Sequence, residues 1–146
     1  MPSAELKNIL SSDLPRGAFW LASHASVSEL SKLARLKGMA FFHLEGQKIE
    51  GKEQFLNHAS MAMKFPADFG KNWDAFYDCI TDMGWVSADG YCIYFDHTDA
   101  FAQHHESELE TVVELFEDAI EFWKREGQSM LVLLSGAHKP DHVKTI

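Results

Sequence analysis

The stretch FPADFGKNWDAFYDCITDMGW, residues 65–85, reads as a tight loop feeding an amphipathic helix, and the rest of the chain is arranged around it. Asn72 suits an N-cap, because its side-chain oxygen can accept an unpaired amide hydrogen of the first turn. Gly70 ahead of it permits a backbone conformation that a side chain resists. The spacing predicts a helix over residues 73–83, with Phe76, Cys79, Ile80 and Met83 on one side. Asp74, Asp78 and Thr81 fall on the opposite side, flanked by Tyr77 and Asp82. Asp74 and Asp78 stand one turn apart, and two like charges so placed weaken a helix. The helix dipole offsets part of that for Asp74. A charge pair kept at a cost points to a partner.

On either side of this stretch the pattern is that of an α/β chain. Residues 1–17 are polar, with Pro2 and Pro15, and read as an N-terminal arm or a short capped helix. AFWLA at 18–22 is a short apolar run suited to a buried strand. Ser26 and Glu29 form a capping box for a helix that Gly38 ends. MAFFHL at 39–44 is the next strand, so a parallel crossover unit is expected. A turn at 45–50 leads to a helix over 52–64, which Pro66 stops. After the central helix come a strand at 91–95, a short helix at 99–105, and a longer helix opened by a second capping box at Ser107 and Glu110. Gly127 closes that helix, and the last strand is 130–134. From Gly136 the chain is a polar tail. Residues 18–146 read as a single domain with a small parallel sheet.

The chain has 146 residues, enough to bury a core, and nearly half of them are hydrophobic. Its net charge of −9 argues against a nucleic-acid-binding surface and favours a basic partner, or simply solubility. No apolar run approaches the ~20 residues of a membrane span, and no basic-then-apolar leader opens the chain. Cys79 and Cys92 form no Cys-x-x-Cys pair and lie in apolar patterns, as reduced thiols of a cytoplasmic protein do.

The run from Phe65 to Trp85 resembles the barstar family, inhibitors of the secreted ribonuclease barnase. The matching residues are Pro66, Gly70, Asn72, Asp74-Ala75, Asp78-Cys79, Thr81 and Gly84-Trp85, with a two-residue insertion before the last pair. HLEGQKI at 43–49 and MLVLLS at 130–135 extend the resemblance over about residues 39–135. It implies a two-layer fold, with a parallel sheet of three strands packed by helices. The added strand and helix at 18–38 can supply a fourth strand. It also implies that the chain occludes the active site of a basic ribonuclease or ribonuclease-like toxin. No catalysis, cofactor or metal belongs to such an inhibitor, which is a monomer when free. By the resemblance Asp78 is the central anchor and Asp74 its neighbour. Tyr77 stands where barstar has a tryptophan, and Trp85 matches a tryptophan of the following loop. Gly70 and Asn72 form the loop, and Asp118 takes the place of a contacting glutamate. Asp68 replaces a contacting tyrosine, and Trp73, read as core packing, replaces a leucine.

Other readings stand beside this one. The acids of the central helix also suit a solvated helix start, and Asp118 with Glu114, Glu117 and Glu121 suits a solvated face. An immunity protein for a toxin that is not a ribonuclease would use the same surface. Asp96, His97, His104 and His105 offer ligands for a metal-dependent enzyme, although no zinc spacing is present. His104 and His105 are adjacent, so on a helix they point about 100° apart.

Overall fold

The computed structural model describes residues 3–22 and 24–146. Four apolar runs form strands: β1 (Gly17–Trp20), β2 (Met39–Glu45), β3 (Gly90–Asp96) and β4 (Ser129–Leu134). A fifth, β5 (Lys144–Thr145), comes from the segment read as a polar tail. All pair in parallel, in the order β2-β3-β4-β1-β5. The sheet is therefore wider than the three or four strands expected. Its last edge is held by Val143 and Ile146, both buried, and by the Ile146 N–H, which donates to the Trp20 carbonyl at 2.8 Å. Two isolated apolar residues carry no periodicity, so the sequence pattern does not mark them.

The central strands are covered on both faces. On β3, Tyr91, Ile93 and Phe95 enter one core while Cys92 and Tyr94 enter the other; on β4, Met130, Val132 and Leu134 oppose Leu131 and Leu133. Such strands read as continuous apolar runs rather than alternating ones. The first core is roofed by α3 (Lys52–Ala62), α4 (Trp73–Ile80), α5 (Asp99–His104) and α6 (Glu106–Arg125). This part is the expected two-layer unit. A third layer is added on the other face by α1 (Ala4–Leu10) and α2 (Val27–Leu36), through Leu6, Leu10, Leu30 and Ala34. The chain first crosses from β1 to β2 over the second face, then steps back from β2 to β3 to β4 over the first. Direction and face reverse together, so every crossover keeps one hand.

Of the N-terminal segment, Met1 and Pro2 lie outside the described residues. Its remainder opens with a short capped helix, α1, in which the Ser3 hydroxyl accepts the Leu6 N–H at 3.1 Å. Ser26 caps α2 through the Glu29 N–H at 3.3 Å. Gly38 and Gly127 close α2 and α6 with φ of +76° and +74°, which side chains resist. The box at Ser107 and Glu110 does not open α6. The helix begins at Glu106, directly after α5, and the His105 carbonyl already accepts the Leu109 N–H at 3.0 Å. No helix among the described residues is long and apolar enough to cross a membrane.

His58 on α3 ties that helix to the end of β2, its Nε2 accepting the Glu45 N–H at 3.0 Å. Accepting requires an unprotonated nitrogen, and burial pushes the ring's pKa below its ordinary 6.5. The unfolded chain therefore binds more protons below pH 6.5, and stability is lost as pH falls from there through the lower folded-state pKa. Urea denaturation at pH 7.5 and 5.5 should show the loss, and His58→Gln should reduce it.

Candidate functional site

Both ends of α4 are fastened. At its start the Asn72 Oδ1 accepts the Ala75 N–H at 2.7 Å, as the N-cap reading expects. The left-handed residue of this loop is Lys71, at φ +53°, and not Gly70. A Cβ on Gly70 would meet Ala75 Cβ and Asn72 Nδ2 at 3.5 Å, ordinary contact, so the expected conformational need for glycine there is not found. Along its inner side Phe76 and Ile80 are fully buried, Phe76 lying edge-on to Phe116 with ring centroids 5.7 Å apart. At its end the Trp123 Nε1–H of α6 donates to the Ile80 carbonyl at 2.8 Å. The helix stops at Ile80, short of residue 83. The Thr81 hydroxyl donates to the Tyr77 carbonyl at 2.7 Å, and Met83 turns left-handed at φ +54° while its side chain still enters the core.

Asp74 and Asp78 are exposed on the outer side of α4, and Asp68 is exposed in the loop before it. Asp82, in the turn after α4, is exposed too. None of the four is in an ion pair among the described residues. Burial pushes the Cys79 thiol's pKa up, and the fields of Asp78, Asp82 and Asp68 push it further, so these acids share one patch. The sequence reading does not single out Asp82, although its spacing of one turn from Asp78 is the available signal. Its Oδ1 accepts the Gly84 N–H at 3.2 Å. Tyr77 and Trp85 are half-buried at the margin of the core. The Trp85 Nε1–H donates to the Met63 carbonyl at 2.9 Å, and its ring stands edge-on to Phe65. Trp73 packs against Phe55 and Phe76, with the Lys52 ammonium 5.3 Å from its ring centroid.

Asp118 is exposed on α6, the helix that packs against α4. Its neighbour Glu117 holds His142 at 2.8 Å on the flank facing the C-terminal segment. The helical turn places Asp118 round from that flank, nearer half-buried Leu115 and Phe122. Phe122 in turn packs on Trp123, whose N–H holds the end of α4.

The suggested metal ligands are not brought together. Asp96 is buried; its Oδ2 takes His43 Nε2 at 2.8 Å and His97 Nδ1 at 3.2 Å, and its Oδ1 takes the Gly46 N–H at 3.1 Å. Burial opposes its ionisation, but the hydrogen bonds from His43 and Gly46 outweigh that and hold its pKa below the usual range. His105 pairs with Glu108 at 3.6 Å. Among the described residues no three His, Cys, Asp or Glu side chains form a group that could hold a metal ion. Of the ligands suggested for an enzyme, Asp96 and His97 are paired with each other and His105 with Glu108.

A family model, Barstar (barnase inhibitor), matches residues 39–135, from β2 through the end of β4 and so including all of α4. The chain belongs to the barstar family. No curated protein sequence gives a significant match to it. Barstar family members bind ribonucleases as protein partners and are inhibitors rather than enzymes. In this member β1, α1, α2 and β5 lie outside the matched span.

The capping bond and the open Gly70 give opposite expectations for neighbouring substitutions. Asn72→Ala should lower the unfolding free energy by about 1 kcal/mol. Gly70→Ala should change it by less than about 0.5 kcal/mol. Urea denaturation of the two variants measures both, and a reversed order would show that the loop's conformation depends on the glycine.

Proposed function

We propose that this chain is a barstar-like inhibitor. It sets the acidic side of α4 in the active site of a basic ribonuclease or ribonuclease-like toxin and performs no chemistry of its own. The observation that carries the reading is that Asp74 and Asp78, inside the family match, are exposed and unpaired on a helix held at both ends. A ribonuclease gathers Arg, Lys and His to hold phosphate. A rigid carboxylate makes the same charge-assisted hydrogen bonds.

In this reading Asp78 is the anchor and Asp74 supports it. Tyr77 and Trp85 exclude water at the rim. Gly70 and Asn72 shape the approach, and Asp118 contacts the enzyme from α6. Asp68, an acid where the family carries a tyrosine, suits a more strongly basic target, and Asp82 extends the same charge. The segment 39–135 does the binding; residues 18–38 and the C-terminal segment support it. The setting is the cytoplasm of a bacterial cell, where the inhibitor is a monomer until it meets its toxin. The chain's charge of −9 steers a cationic enzyme toward it, so association is fast at low salt.

The test is inhibition of RNA cleavage by a panel of basic ribonucleases. Asp78→Ala should weaken inhibition at least tenfold, since each charge-assisted hydrogen bond contributes about 1.5–3 kcal/mol. Asp74→Ala should weaken it less, and both variants should melt with the parent protein. Equal inhibition by Asp78→Ala would overturn the proposed contact. Protection confined to a toxin that leaves RNA intact would instead select the immunity protein for a non-ribonuclease target.

A further inference from the structure

β1 and β4 are neighbours in the sheet, yet the chain leaves β1 over the second face and reaches β4 over the first. In open α/β sheets such a switch point opens a crevice at the carboxyl ends of the strands, where ligands bind. Here it is a cleft of about 620 Å³, lined by Trp20, His24, Asp99, Gly136, His138 and Lys139 among others. That volume is in the range of small-molecule sites. Trp20, His24, His138 and Lys139 lie outside the family match, and none of them belongs to the surface proposed for the inhibitor.

One side chain in it is oriented with unusual care. His24 is exposed, but its Nδ1 lies 2.8 Å from the Ser135 hydroxyl, and Ser135 lies 3.0 Å from the Tyr94 hydroxyl. Tyr94 and Ser135 are both fully buried. The Tyr94 oxygen accepts the Ala25 N–H at 3.1 Å, and Tyr94 donating to Ser135 with Ser135 donating to His24 Nδ1 is the arrangement that uses both hydroxyl protons within the chain of bonds. That arrangement carries the His24 proton on Nε2. Its ring also stacks on His97, with centroids 3.8 Å apart and planes within 13°. Two buried hydroxyls and a stacked ring thus fix an exposed imidazole, which is how a ligand-binding donor is preorganised.

Of the other charged groups of the cleft, Lys139 favours an anion and Asp99 opposes one. The Lys139 ammonium donates to the carbonyls of Val143 and Pro140, at 2.7 and 3.2 Å, which leaves a third N–H and no carboxylate partner among the described residues. Asp99 is the sole carboxylate among the lining residues, and its Oδ1 is occupied by the Ala137 N–H at 2.6 Å. We infer that the cleft binds a small molecule bearing a phosphate or carboxylate group, with His24 Nε2–H and Lys139 as the donors to its oxygens.

Titration by NMR with inorganic phosphate, acetate and a nucleoside monophosphate, at constant ionic strength against chloride, tests this. A saturable shift of the His24 ring and the Ala137 amide is expected with at least one of them, and the strongest of the three identifies the headgroup. His24→Ala should weaken binding at least tenfold. Ser135→Ala should weaken it by a smaller factor, because the ring remains but is no longer held. Shifts that match those with chloride, or unchanged binding by His24→Ala in a protein of unchanged melting temperature, would overturn the assignment. Ribonuclease inhibition by His24→Ala should equal that of the parent, so this result is independent of the α4 reading.

Discussion

A helix of eight residues cannot stand alone in water, and two aspartates a turn apart make it weaker still. α4 exists because its other side is sunk in the core and its end is bonded to α6. Phe76 touches Phe55, Phe65 and Phe116, while Ile80 is buried with its carbonyl taken by Trp123. The cost of displaying like charges is thus carried by apolar contacts far stronger than the repulsion, which is only a few tenths of a kcal/mol at the surface. A carboxylate on such a support loses little freedom on binding, which is the condition for a charged group to contribute to affinity.

The same arrangement protects the surface chemically. Cys79 lies in the middle of the acidic patch, half-buried on α4. Burial and the fields of Asp78, Asp82 and Asp68 all favour its neutral thiol. A thiol kept protonated is a poor nucleophile and a poor metal ligand. Cys92, in the core, has its pKa raised to about 12 by burial alone. The two thiols are therefore held toward the neutral form for different reasons, and only the first is tied to the display of charge.

How much of the fold is legible in the sequence depends on the range of the forces involved. Helix ends are local: Ser26, Asn72, Gly38 and Gly127 do at their positions what short-range backbone chemistry requires. Central strands declare themselves because burial on both faces demands apolar runs. The wide sheet is not legible in full. β5 is two residues long and depends on Val143 and Ile146 finding a site beside β1. α1 rests on Leu6 and Leu10 meeting a face that only the folded sheet creates. At the acidic site, Asp74 and Asp78 are legible from helical spacing. Asp82 is read there only as a flanking residue of a helix running to 83, whereas it stands in the turn after Ile80, where Met83 reverses the backbone. Gly70 misleads for a related reason. Residue type suggests where the chain turns left-handed, but the turn falls one residue later, on Lys71, where the Asn72 cap sets the geometry.

The two candidate surfaces lie at opposite ends of the strands. α6 runs from α5, beside the end of β3, to Gly127, just before β4 begins, so its final turn stands at the amino ends. Trp123 is in that turn, and it holds the end of α4 there. The cleft beside His24 opens at the carboxyl ends of β1 and β4. Its rim is made mostly by segments that the barstar family match does not reach, with Asp99 and Ser135 from inside the match, and β1 is joined to the matched core through the Leu21 N–H on the Leu134 carbonyl at 2.7 Å. Completing a parallel sheet with β1 creates a new crossover, and a crossover that changes face leaves a crevice as a geometric consequence. The added strand therefore does more than widen the core. It gives an inhibitor-type domain a second concave surface, lined by donors where α4 presents acceptors, and the buried Tyr94–Ser135 pair is the part of the core that connects the sheet to it.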